Sequence, residues 1–274
     1  MAYNIAYPDI PNMGDLLNKY MLEDVFNISV NRASLKNCNL IAIGSTLDHI
    51  VYYPKLKDKL KQKISNMFND NVHIWGTGFI RGNAMLDSSL IYKNIYVHAL
   101  RGNLTKSRME RLLGKKLDVP LGDGGLLAQK WLGYYPEKKY SVGIVPHFKE
   151  QTNPNVDRLL KSYENSVFID LKDTPIDVVK KIGECEFIIS SSLHGMIVAD
   201  SFHIPNIHIT LNNSMFGDGN KYNDYMSAYN IQHTPFDCSD GSVPDIKTIK
   251  DNYKIDSDIV EQKKQQLFEC FPKL

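Results

Sequence analysis

The sequence predicts an α/β protein built of two Rossmann-like, doubly wound domains facing across a cleft. Three observations carry this expectation. Short β-rich runs alternate with helical stretches along all 274 residues. The runs are continuously apolar, as in Leu40–Gly44 and Phe187–Ser190, which marks strands buried on both faces of a helix-covered parallel sheet. The alternation stops at the polar, turn-rich Gly133-Tyr-Tyr-Pro-Glu-Lys-Lys139 and then restarts, dividing the chain into 1–136 and 137–274. A single larger sheet is the alternative that the same pattern allows.

In the first half the strands are expected at Tyr3–Ala6, Leu40–Gly44, Val72–Gly76 and Ile95–Ala99, with Leu117–Leu121 a weaker fifth. Helical spacing covers Met13–Val25, Leu56–Phe68, Leu104–Leu113 and Leu126–Trp131. The second series has strands at Ser141–Val145, Val167–Leu171, Phe187–Ser190 and Ile207–Thr210. Its helices fit Val156–Ser162, Pro175–Gly183, Leu193–Phe202 and a stretch near Asp256–Phe268. Pro175 suits a first helical turn, where its missing N–H has no partner to lose.

Composition narrows the function. Hydrophobic residues are 43% and charged residues 23% of the chain, so there is ample apolar surface for a core. Lys+Arg 32 against Asp+Glu 31 gives +1, which offers no global field for nucleic acid or an anionic membrane. The Lys55–Lys63 run reads as the solvated face of a helix. An anionic ligand must therefore be held by local groups. The N-terminus lacks a signal-peptide pattern, and no apolar run approaches the roughly 20 residues of a membrane helix. Cys38, Cys185, Cys238 and Cys270 have no CxxC spacing, so neither a zinc site nor a redox pair is expected and the compartment reads as cytoplasmic.

The most informative segment is Ile188-Ile-Ser-Ser-Ser-Leu-His-Gly195. A buried strand ends at three serines and a helix begins, so Ser191 and Ser192 are expected as N-caps beside free N–H groups that favour an anion. His194 then sits in the first helical turn, at the carboxyl edge where α/β proteins hold ligands. There the helix's positive end should lower its pKa. Gly195 permits a close approach by ligand or backbone. A second strand ends at Pro146-His147, and if both strands share one sheet the two histidines line the same edge. In the first half Arg101 ends a strand and offers a planar fork for carboxylate or phosphate. Asn12 and Asp15 open the first helix, with Asp15 either capping it or hydrogen-bonding a sugar hydroxyl. Asp123 in Gly122-Asp-Gly-Gly125 reads as a helix cap at a tight turn. His203 and His208 have no ligand spacing that closes a metal site.

Asn12-x-Gly-Asp15, Arg101-Gly-Asn-Leu-Thr, Gly122-Asp-Gly, Gly143-Ile-Val-Pro-His147 and Ser190-Ser-Ser-Leu-His-Gly195 occur in the order seen in polysaccharide pyruvyl transferases. Ala199-Asp-Ser-Phe-His-Ile-Pro205 and Lys221-Tyr-Asn-Asp-Tyr225 continue the resemblance, which runs from about Asn4 to about Tyr229. The resemblance implies a GT-B-like pair of domains, acceptor side 1–136 and donor side 137–274. It implies transfer of a pyruvyl group from phosphoenolpyruvate onto two hydroxyls of a sugar in a bacterial polysaccharide precursor, with a cyclic ketal formed and phosphate released. The acceptor would be a lipid-linked or nucleotide-linked glycan, with at most peripheral membrane contact, no nucleic acid, no cofactor and no metal. His194 and Arg101 match positions that the family uses on the donor. His194 is assigned as acid and His147 as base or phosphate ligand, roles that are open to exchange. Many members carry Arg directly before the Leu-His pair, where this chain has Ser192; either Arg101, Arg81 or a lysine substitutes, or the helix N-terminus holds the donor, or this branch uses a different donor. A GT-B glycosyltransferase using a nucleotide-sugar and a non-catalytic sugar- or phosphate-binding relative are the competing readings.

Overall fold

The computed structural model describes residues 2–35, 37–49, 71–82, 94–212 and 218–274. In the first half, β1 (Tyr3–Ile5), β2 (Val30–Arg32), β3 (Leu40–Ile41), β4 (Asn71–Ile74) and β5 (Asn94–Val97) form one sheet in the order β2-β1-β3-β4-β5. In the second, β6 (Tyr140–Val145), β7 (Ser166–Phe168), β8 (Cys185–Ser190), β9 (Asn206–Thr210) and β10 (Phe236–Asp237) form another in the order β10-β9-β8-β6-β7. Every pairing is parallel. Two separate sheets replace the single-sheet alternative. Counted from its own first strand, each half reads 2-1-3-4-5, so both have their crevice between the first and third strands.

The helices are α1 (Met13–Leu16), α2 (Tyr20–Phe26), α3 (Asn103–Leu113), α4 (Ala128–Leu132), α5 (Pro154–Ser162), α6 (Pro175–Gly183), α7 (Leu193–Ser201), α8 (Asn220–Ser227), α9 (Ile246–Asn252) and α10 (Ser257–Glu269). A 3-10 turn, Gly124–Leu127, precedes α4. The single helix expected over Met13–Val25 is two. Asn18 breaks it, because its buried amide accepts from the Ile43 N–H at 2.9 Å and donates to the Ile43 carbonyl at 3.0 Å. Leu117–Leu121 contributes only an isolated bridge, Leu121 to Leu100. The helix expected at Leu56–Phe68, with its lysine run, lies outside the described residues.

Edge strand β2 was missed because only Val30 of its three residues is buried. α8 was missed for a different reason. It buries Lys221, Asp224 and Asn220 beside Tyr222 and Tyr225, and no apolar stripe announces such a helix.

The halves share one core. A single buried cluster joins Met13, Leu17, Trp75 and Leu126 of the first half to Leu193, Ile197, Leu267 and Phe271 of the second. α10 follows the second sheet yet packs on the first half. Trp75 Nε1 donates to the Leu267 carbonyl at 2.9 Å, and Lys263 Nζ donates to the Leu121 carbonyl at 2.9 Å. Phe26 stacks on Phe271 with ring centroids 3.7 Å apart. The N–H of Met13 donates to the Leu171 carbonyl at 2.7 Å, which sets the start of α1 against the second half.

Candidate active site

Register assembles the first wall. Val145, the last residue of β6, pairs with Ser190, the last of β8, so Pro146-His147 and Ser191-Ser192 leave the sheet side by side. The His147 N–H donates to Ser191 Oγ at 2.9 Å, and that hydroxyl donates to Glu150 Oε2 at 2.6 Å. Ser190 Oγ donates to the Val145 carbonyl and accepts from the Ser192 N–H at 3.0 Å. Ser192 does occupy the N-cap position of α7, but its side chain makes no capping bond. The capping expected of Ser191 and Ser192 is thus corrected. The hydroxyls of Ser190 and Ser191 bind the loop to β6 and to Glu150, and a ligand would meet α7 through N–H groups that no side chain of the serine run caps. A Cβ at Gly195 would lie 2.9 Å from Val145 Cγ1, so its bareness serves the packing of α7 on the sheet.

His194 reaches from α7 across to the first half. A Cβ at Gly14 would overlap its Nδ1, and one at Gly125 would lie 3.7 Å from its Cδ2. Its Nε2 stands 4.0 Å from Asp123 Oδ1. The imidazole therefore occupies a slot walled by Gly14, Gly125 and Asp123, between the crevices of the two sheets. Among the described residues neither His194 Nε2 nor Asp123 Oδ2 has a hydrogen-bond partner, although both atoms are buried. Burial, then the charges of Lys221, Arg101 and His147, lower the His194 pKa to about 3. The direction is the one expected at a helix N-terminus, but desolvation leads it. His147 is held at about 4 by burial and by Lys221 and Lys149.

Asp123 caps the 3-10 turn as its sequence context suggested, with Oδ1 accepting from the Gly125 N–H at 2.9 Å. Burial raises its pKa to about 7, against the pull of Arg101. Asn12 sits at the N-cap of α1, yet its amide donates to Asp15 Oδ2 at 2.7 Å and makes no cap bond. Asp15 does not cap either. It lies in the first turn of α1, where burial raises its pKa and Lys221 lowers it.

Lys221, quoted in a sequence motif but given no role there, is the cation of this region. Its side chain comes from α8 and is largely buried; burial and Arg101 lower its pKa to about 8, while Glu150 and Asp15 oppose the shift. Above neutrality by about a unit, it remains an ammonium at pH 7. Lys221 also lines a cavity of about 340 Å³ with His147, Lys149, Glu150, Asn212 and Tyr222, within the ordinary size of a small-molecule site. His194 and Arg101 do not line that cavity. His208, at its back, stacks on Tyr222 with centroids 3.7 Å apart and shares a 2.7 Å hydrogen bond with His233.

Arg101 is placed elsewhere than the donor reading requires. It is fully buried, and its fork is spent within the protein: Nε on Asp224 Oδ2 at 2.9 Å, Nη1 on Ser45 Oγ at 2.6 Å and Nη2 on the Phe79 carbonyl at 2.6 Å. Asp224 in turn accepts from the Thr105 N–H at 2.8 Å and the Thr105 hydroxyl at 2.6 Å. It caps α3 from another helix, because a Cβ at the N-cap Gly102 would fall on the Asp224 carbonyl. Lys221 and Asp224 are three apart and share a helix face. The ion pair that locks α8 to the first half therefore also aims Lys221. Among the described residues no group of three or more His, Cys, Asp or Glu is arranged to hold a metal, and no helix is long and apolar enough to cross a membrane.

Two known proteins and one family model resemble this chain over most of its length. A protein of Acanthamoeba polyphaga mimivirus, itself uncharacterized, is 26% identical over 266 residues, covering 93% of this chain and 86% of the viral one. The succinoglycan biosynthesis protein ExoV of Rhizobium meliloti (strain 1021) is 24% identical over 228 residues, 82% of this chain and 63% of ExoV. Residues 2–213 match the family described as Polysaccharide pyruvyl transferase. That match spans both sheets' crevices, His147, Ser191 and His194 included, and the chain belongs to the polysaccharide pyruvyl transferase family.

Proposed function

We propose that this chain moves a pyruvyl group from phosphoenolpyruvate onto two hydroxyls of a sugar in a polysaccharide precursor, forming a cyclic ketal and releasing phosphate. The observation that carries this reading is Lys221, a largely buried ammonium within the electrostatic reach of His147 and His194, beside a cavity of small-molecule size. The donor carries a carboxylate and a phosphate, and it needs a cation that Ser192 does not supply. Lys221 fills that need, with Lys149 on the same wall and the N-terminus of α7 behind. Glu150, next to Lys149 in the same lining and bonded to Ser191, suits a sugar hydroxyl rather than the donor. The two crevices brought face to face, with α10 crossing back, favour a GT-B-like arrangement in which each half serves one substrate.

The donor's charges cancel the field of Lys221 and so favour the imidazolium of His194. His194 then gives a proton to the methylene carbon, and the alkene's electron pair becomes the new C–H bond. The acceptor's first hydroxyl attacks the adjacent carbon and passes its proton to His147, whose neutral ring is a ready base. The second hydroxyl displaces phosphate, which leaves with the last proton. None of the four cysteines forms a disulfide, in keeping with the cytoplasm, where phosphoenolpyruvate and lipid- or nucleotide-linked acceptors would both be within reach.

Thermal melting with phosphoenolpyruvate, followed by phosphate release with a panel of linked sugars, tests the proposal. A ligand that binds only the folded state raises its stability by RT ln(1+[L]/Kd). The expected result is a shift with phosphoenolpyruvate and phosphate release that depends on the sugar. A shift with a nucleotide-sugar alone would instead support glycosyl transfer.

A further inference from the structure

Four buried side-chain polar atoms among the described residues lack a hydrogen-bond partner, and two of them, His194 Nε2 and Asp123 Oδ2, belong to one facing pair. Buried polar groups are ordinarily paired, and exceptions collect at functional sites. Here the carboxylate comes from the first half and the imidazole from the second, with His194 Nε2 4.0 Å from Asp123 Oδ1, the oxygen that also accepts from the Gly125 N–H. The Gly125 N–H holds the carboxylate at 2.9 Å and the ring lies against the bare Cα of Gly14, and a proton passes between them once the imidazole closes from 4.0 Å to hydrogen-bond reach. Lys221 and Asp224 of α8, Tyr229 just after it, Arg101 before α3 and His147 after β6 face the pair, and Glu150 and Asp15 face Lys221.

We infer that Asp123 is a positioning residue for His194: the two share one proton, which rests on the carboxyl in the free protein and moves to the imidazole when an anionic donor docks against Lys221. The identity of the donor rests on the pyruvyl-transfer reading; the shared proton does not. Below neutral pH the burial of both groups keeps the proton on the carboxyl and the ring neutral. An anion beside Lys221 reverses the preference. The Asp123 O–H bond then breaks, its electron pair stays on the carboxylate, and an Nε2–H bond forms that points back at that carboxylate. Nε2 is taken by Asp123, which leaves Nδ1–H to be spent on the donor's methylene carbon. The proton that His147 takes from the first acceptor hydroxyl makes good the one that the pair has lost, so protons balance over a turnover. A carboxylate that orients an imidazole and stabilises its charged form is a recurring catalytic device.

Nitrogen NMR of histidine-labelled protein tests the shared proton without any donor. In the wild type the His194 resonances should step as Asp123 titrates near neutral pH, well above the ring's own titration. Asp123→Asn keeps an oxygen for the Gly125 N–H and should abolish the step. No step in the wild type, or a step that survives in the variant, overturns the inference. In turnover with phosphoenolpyruvate, Asp123→Asn should lower kcat by roughly 10² with little change in KM. Its rate should rise continuously toward acid pH where the wild type levels off. An unchanged kcat and pH profile also overturns it. If the wild type itself turns over no phosphoenolpyruvate, the pyruvyl-transfer reading falls, and the resonance of the free protein alone decides the pair.

Discussion

Lys221 and Gly14 are the residues whose substitution tests the site most directly. Lys221→Gln removes a charge that burial already opposes, so the melting temperature should hold or rise. Affinity for phosphoenolpyruvate should fall about 10- to 150-fold, the worth of about 1.5–3 kcal/mol for a charge-assisted bond, as measured by calorimetric titration. Gly14→Ala drives a methyl into the His194 ring. It should cost about 1–3 kcal/mol as overpacking and roughly 10² in kcat, since a displacement near 1 Å is that expensive at a reacting group. Donor affinity should change less. The sequence marked His147 and His194 because each follows closely on the end of a buried strand, a local feature. It could not mark Asp123 as the partner of His194, because the two lie 71 positions apart and the packing of the two halves brings them together. It also set Arg101 on the donor, since a fork at a strand end reads the same whether its partner is a ligand or Asp224 of another helix.

α8 is the element on which the site's geometry turns. Its residues divide the work: Lys221 faces the cavity, the Tyr222 hydroxyl donates to the Ser191 carbonyl at 2.8 Å, Asp224 holds Arg101 and α3, and the Tyr225 hydroxyl donates to Asp200 Oδ2 at 2.7 Å. Asp224→Asn leaves the Arg101 charge buried and unpaired, a loss of about 3–5 kcal/mol. The melting temperature should drop by about 10 °C. Arg101→Lys should act the same way, on stability before donor affinity, and equilibrium unfolding beside donor titration distinguishes it from Lys221→Gln. Helices with an apolar stripe, such as α6, were legible to the residue: Pro175–Gly183 is both the expected span and the observed one. α8 was not legible, because a helix that buries a lysine, an aspartate and an asparagine carries the pattern of a surface loop. Polar burial is what a site needs and what periodicity cannot see.

Over the whole molecule, buried histidines oppose buried carboxyls in setting the response to pH. His147 and His233 are held at about 4, His194 at about 3, and His208 well below its usual value, all by burial first. Below pH 6.5 the unfolded chain takes protons on these four rings and the folded protein does not, so stability falls as pH drops from 6.5 toward 4. Asp123 and Asp200, raised to about 7 by burial, act oppositely. They hold protons in the fold that the unfolded chain has released above 3.8, and they cost stability as pH rises to 7. With His73 and His98 also lowered by burial, the rings outnumber the raised carboxyls of Asp123, Asp200 and Asp15, which leaves a net gain with rising pH between about 4 and 6.5. Urea midpoints at pH 4.5, 5.5 and 6.5 should therefore increase in that order; a flat or falling series would mean that the rings are solvated. The two sheets and their parallel order were readable at this scale, because continuous apolar runs are a property of the strands themselves. The shared core was not, since nothing in Trp75 or Phe26 announces that α10 will cover them.

That late cover bears on how the molecule comes into being. A ribosome delivers Trp75 and Phe26 well before it delivers Leu267 and Phe271, on which they depend. The first sheet can thus acquire its strands during synthesis while its floor is still unmade, and the final helix acts as a clasp that closes the earlier half last. A fragment of residues 2–136 should accordingly leave Trp75 wet, with red-shifted fluorescence, and should need a separately added 257–274 peptide to recover the blue emission of the whole chain.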